Sequence, residues 1–172
     1  MKNILLFLAA TFCFAACCRK VGDAQPTTSQ PTKSDTSEPA KADAFQVVGY
    51  EKTACFGRCP VYQDKFFSDG KVTWYGRMNV ERMGNYEAQV KPEDLRAIRE
   101  KADEVHFFDF YNEYPTGDRK IADLPSTKIY LRVGDMEKQV TDTHEAPEKL
   151  KEFEKYLEDL IGKLEWKLSE KK

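Results

Sequence analysis

Downstream of Ala44 the apolar residues follow two distinct periods, and the period assigns each element. Thr127, Ile129, Leu131 and Val133 alternate with Lys128, Tyr130 and Arg132, the repeat of a strand with one buried and one wet face. Gly134-Asp135 supplies a turn, and Met136 to Thr141 returns as its hairpin partner. An earlier hairpin is predicted where Tyr62 to Phe67 and Lys71 to Tyr75 flank Asp69-Gly70, a tight-turn dipeptide. Phe45 to Tyr50 predicts a first strand, and Tyr86 to Val90, after Gly84-Asn85, a fourth.

Two stretches switch to the helical period. Pro92 opens the first, at a position where its missing N–H costs nothing, and Glu93 and Asp94 complement the helix dipole. Leu95, Ile98, Ala102 and Val105 fall on one face. Pro147 opens the second, with a stripe of Leu150, Phe153, Leu157, Leu160, Ile161 and Leu164. Phe107 to Leu124 carries no clean period and receives no element. Strands in hairpins with single helices between predict an α+β domain, order ββββαββα. Its antiparallel sheet has two hairpin groups, and both helices pack on one face.

The start of the chain has a different pattern. Lys2 precedes an apolar run, Ile4 to Phe14, of signal-peptide length and short of the roughly 20 residues needed to span a bilayer. Phe14-Ala15-Ala16-Cys17 then resembles the bacterial lipobox, with Phe14 where leucine is usual. The expectation is a signal peptide over 1–16 and lipidation of Cys17, whose thiol is the nucleophile that receives diacylglycerol. An ordinary cleaved signal is the rival, disfavoured by the abrupt change to Cys17-Cys18-Arg19-Lys20 and polar sequence. Such an anchor implies the cell envelope. Cysteine rather than aspartate at position 18 points to the outer membrane.

Composition divides the remainder. Residues 17–43 read as a lipidated disordered tether, since Gln25 to Ala42 is mostly Pro, Thr, Ser and Lys without aromatics and cannot offset its chain entropy by burial. A coil of that length reaches ~30 Å. Residues 44–172 are enough for one domain with a real core. Net charge is −2 with both signs interleaved, so the basic stripe that nucleic-acid binding requires is missing.

The most informative string in the domain is Cys55-Phe56-Gly57-Arg58-Cys59-Pro60-Val61-Tyr62. In an exported protein the pair reads first as a local disulfide, with Gly57 easing the turn. So short a loop contributes only ~2 kcal/mol and shapes a segment more than it holds the fold. Two further readings stay open. A redox dithiol would favour C-x-x-C leading into a helix, whereas this pair leads into a strand. C-x-x-x-C-P also resembles the copper motif of the Sco-type cytochrome oxidase assembly proteins, with His144 as a third soft ligand, although the hairpin after Pro60 does not suit their fold.

A broader resemblance runs from about Val47 to Ile161. The cysteine string, Asp69-Gly70, Tyr75-Gly76, Gly84 and Asp123-Leu124-Pro125 together resemble the bacterial family called domain of unknown function 6438. Members resembling this chain are often lipoproteins or secreted, and the resemblance implies no activity.

Other candidates are weaker. His106, before Phe107-Phe108, reads as packing or capping the helix end, and His144 as a surface residue. Ser126, His144 and Asp123 could be written as a triad, but no nucleophile elbow surrounds Ser126. Asp103, Glu104, Asp109, Asp118 and Asp123 read as solvated carboxylates. Phe66, Phe67, Trp74, Tyr75, Phe107, Phe108, Phe110, Tyr111 and Tyr114 should supply core and cross-strand pairs, with a minority free to line a groove. The late helix with Trp166 reads as an ordinary solvated face rather than a lipid contact. No catalytic residue, metal or cofactor is assigned. The expected function is a non-enzymatic envelope module binding a protein, peptide or glycan. The alternative is redox or copper handling through Cys55 and Cys59.

Overall fold

The computed structural model describes residues 43–119 and 121–169. The expected signal peptide, Cys17 and most of the expected tether lie outside the described residues. Four strands come first: β1 (Gln46–Lys52), β2 (Val61–Phe67), β3 (Lys71–Met78) and β4 (Gly84–Gln89). Helix α1 (Pro92–Glu104) leads through a 3-10 turn at Phe107–Asp109 to the short β5 (Glu113–Tyr114). The second hairpin, β6 (Thr127–Val133) and β7 (Met136–Asp142), precedes α2 (Glu148–Lys163) and the short β8 (Lys167–Leu168).

The fold is α+β with the expected order, to which the structure adds two short edge strands. All eight strands join one sheet in the order β5-β7-β6-β1-β2-β3-β4-β8. Every pairing is antiparallel except β5 with β7, so the sheet is mixed at one edge. That edge follows from the unassigned segment, where the Tyr114–Pro115 bond is cis and Thr143 N–H donates to the Tyr114 carbonyl at 3.0 Å.

Register explains how one face is buried. Tyr50 pairs with Asp64 and Ile129, Phe66 with Val48 and Val72, and Ile129 with Val140, so these side chains project together. Both helices close over that face. Ile98 and Ala102 of α1 and Leu150, Phe153, Leu157 and Ile161 of α2 join the same core cluster. Phe107 anchors the middle, its ring 5.3 Å from that of Phe153. Burying each such side chain stabilises the fold by about 1.5–3 kcal/mol. The start of α1 is held by Asp94, whose carboxylate accepts from the Lys91 N–H at 2.9 Å. Pro147 is the cap of α2 rather than its first residue.

The sheet has two distinct ends. At one, Ser68 N–H donates to the Phe45 carbonyl at 2.9 Å and the Arg132 guanidinium lies 4.7 Å from the Phe45 ring centre. The described chain therefore enters beside the two hairpin turns. The other end, after Lys52, holds the cysteine loop.

Candidate functional site

Three loops meet at that far end. Cys55 and Cys59 form a disulfide, with Cα atoms 5.8 Å apart. The Phe56 N–H donates to the Asp123 carbonyl at 3.1 Å, and Thr53 N–H to the Ser126 carbonyl at 2.9 Å. Ser126 N–H returns a bond to Thr53 Oγ1 at 2.7 Å. From the third loop, Asn79 Nδ2 donates to the Cys59 carbonyl at 3.0 Å. Asp123 and Asn79 sit at φ 65° and 54°, the left-handed region that these two residue types tolerate best among side chains.

The result is a braced tip that displays apolar side chains. Phe56 is 93% exposed, with Met78, Met83, Ile121 and Leu124 also exposed. A hollow of about 590 Å³ beside the loop is lined by Thr53, Ala54, Val61, Tyr75, Met78 and Met83. An aromatic ring on a covalently closed loop loses little conformational freedom when it docks. Exposed apolar side chains gathered at one place suit a partner surface.

Beneath the tip lies a buried polar layer between the sheet and α2. Asp64, at the centre of β2, is fully buried and neither carboxyl oxygen has a hydrogen-bond partner. Burial pushes its carboxyl up to about 8, partly opposed by the Arg82 guanidinium. Arg82 lies 4.9 Å from the Trp74 ring centre and 5.7 Å from that of Trp166, distances at which a cation is held by the ring faces. The Trp74 indole donates to the Arg82 carbonyl at 2.8 Å. Gly76 makes this crossing possible: a Cβ there would collide with the Arg82 carbonyl and come within 2.7 Å of Trp74 Nε1.

Toward β7 the layer becomes acidic. Lys52 bridges to Glu158 at 3.2 Å. The Tyr62 ring stacks on Trp74 at 4.4 Å, and burial raises the proton affinity of both Tyr50 and Tyr62. Asp142 Oδ1 and Glu154 Oε1 are buried without a donor. Two facing carboxyl groups can hydrogen-bond only if one keeps a proton. Burial raises the proton affinity of both, pushing Glu154 up to about 7 with the Asp142 charge as the second cause.

A sequence-family model matches residues 46–161, described as Domain of unknown function (DUF6438). The chain belongs to that family. No curated protein matches it. The DUF6438 segment contains both the cysteine string and Asp123-Leu124-Pro125, and the structure brings these distant strings into backbone contact.

The remaining candidates of the DUF6438 domain do not assemble into chemistry. Ser126 Oγ lies 2.7 Å from Thr143 Oγ1, Asp123 is exposed and His144 Nε2 has no hydrogen-bond partner, so no Ser-His-Asp relay exists. His144 is half-buried rather than on the surface, its Nδ1 3.9 Å from Glu145. His106 caps α1 through its backbone, with φ 58° and its side chain exposed. Asp103, Glu104, Asp109, Asp118 and Asp123 are all exposed. Among the described residues no three His, Cys, Asp or Glu side chains are grouped to hold a metal. Cys55, Cys59 and His144 are thus not brought together. The buried Asp64 and the half-buried Arg82 and Glu154 escaped the sequence reading. A signal for Asp64 existed, because Tyr62, Asp64 and Phe66 alternate on the buried face of β2.

Proposed function

We propose that this chain is a cell-envelope lipoprotein, anchored through lipid on Cys17, whose DUF6438 domain is a non-enzymatic interaction module working through its tip. The observation that carries the reading is Phe56, 93% exposed on a disulfide-closed loop that is bonded to the Asp123 segment. A fully exposed ring on a braced loop adds nothing to the core, and its display suits a partner.

The address rests on the Lys2, Ile4 to Phe14 and Cys17 pattern. Several lipid chains on one cysteine would make attachment durable, which one chain alone does not. The tether would then join the domain at the opposite end of β1 from the tip. The outer membrane is the expected site, since Cys18 stands where a retention aspartate would be.

Two measurements on the full chain in cells test this. Palmitate labelling should be lost on Cys17→Ser, and persistence of label would overturn the anchor. Thiol counting and metal analysis address the module. Closed Cys55 and Cys59 without copper agree with an interaction role. Stoichiometric copper lost on Cys55→Ser or Cys59→Ser would replace it with metal handling.

A further inference from the structure

We propose that the uncovered face of the sheet is a second site, which takes an acidic carbohydrate. Both helices lie on the other face, so this one meets solvent across the central strands. Two hollows of about 400 Å³ each lie on it and share Gln63 and Lys65. One is bordered by Tyr75 and Asn85, the other by Gln46, Tyr130 and Gln139.

Gly49 keeps the second hollow open. A Cβ at that position would stand 2.6 Å from Gln46 Nε2 and 3.2 Å from the Tyr130 Cβ. Any side chain would drive Gln46 out of its place on the floor.

Charge selects the occupant. Lys128 is paired with Glu51 at 3.7 Å, Lys71 with Glu87 at 2.8 Å and Arg132 with Glu137 at 3.3 Å. Among the described residues Lys65 has no carboxylate within ion-pair distance, and it stands where the two hollows meet. Of the two cations that line these hollows, Lys128 is neutralised and Lys65 is not, and one uncompensated cation between them complements an isolated carboxylate. Side-chain amides both donate to and accept from sugar hydroxyls, and tyrosine rings offer flat apolar surface edged by a hydroxyl. A nucleic acid would bring a phosphate at every nucleotide and would need many free cations.

Titration calorimetry on the full chain in detergent tests this, with tetragalacturonate, cellotetraose, glycerol phosphate and a thymidine dodecamer as probes. Tetragalacturonate should bind, and Lys65→Ala should weaken it about tenfold, the scale of one lost charge-assisted contact. Gly49→Val and Tyr130→Ala should weaken it comparably, whereas Phe56→Ala should leave it unchanged. That last result separates this site from the tip. Failure to bind tetragalacturonate would overturn the proposal. So would equal affinity for cellotetraose, for glycerol phosphate or for the dodecamer, or indifference to Lys65→Ala in a variant with an unchanged melting transition.

Discussion

Replacing Asp64 with asparagine should change how stability depends on pH more than it changes the fold. The carboxyl is fully buried without a hydrogen-bond partner, and burial moves it from its ordinary 3.8 to about 8 against the pull of Arg82. An acid whose proton is held more tightly in the folded state supports that state fully below the unfolded value. As pH rises past 3.8, the unfolded chain releases its proton first, and stability falls until the folded group also titrates near 8. The slope over that window is about 1.4 kcal/mol per pH unit, so roughly 4 kcal/mol is lost between acid and neutral pH. An asparagine side chain has the same shape as the protonated acid and cannot ionise. Urea unfolding at pH 4.5, 6 and 7.5 should therefore show the two proteins converging in acid. Asp64→Asn should be more stable at pH 7.5, with Glu154 titrating in both and cancelling. Arg82→Gln, which removes the opposing charge, should extend the falling limb to higher pH. Parallel curves for wild type and Asp64→Asn would refute this reading of the buried carboxyl.

Packing sets three other outcomes. Phe153→Ala empties a fully buried site against Phe107 and should cost about 3–5 kcal/mol by urea unfolding. Cys55→Ser with Cys59→Ser should cost only about 2 kcal/mol, leaving a folded domain by circular dichroism whose tip amides exchange faster with solvent. Gly76→Val should destabilise by about 2 kcal/mol or more, the range of overpacked sites, and should quench or shift Trp74 fluorescence as the Arg82 crossing is displaced.

The parts of the fold legible in sequence are those with an unbroken period. The alternation of Thr127, Ile129, Leu131 and Val133 survives as four side chains on the core side of β6, three of them buried and Val133 packed against them. The α2 stripe likewise survives as Leu150, Phe153, Leu157 and Ile161. Two-residue strands have no period to read, so β5 and β8 leave no trace in the sequence. Boundaries differ for a local reason: β3 runs on to Met78 because the 79–83 loop turns back over Gly76. The cysteine string and Asp123-Leu124-Pro125 are each conspicuous, but their contact depends on β1 pairing with β6, a long-range event. The stacking of Arg82 between Trp74 and Trp166 joins residues of separate elements that share no local pattern with each other.

Site-specific photo-cross-linking in intact cells tests the role of the tip most directly. A photoreactive residue would replace Phe56 at the tip or Lys155 on the exposed side of α2. If the tip is the interaction surface, position 56 gives a discrete adduct that disappears when Cys55 and Cys59 are both serine, and position 155 gives none. Equal adducts from the two positions, or none from position 56, would contradict that role.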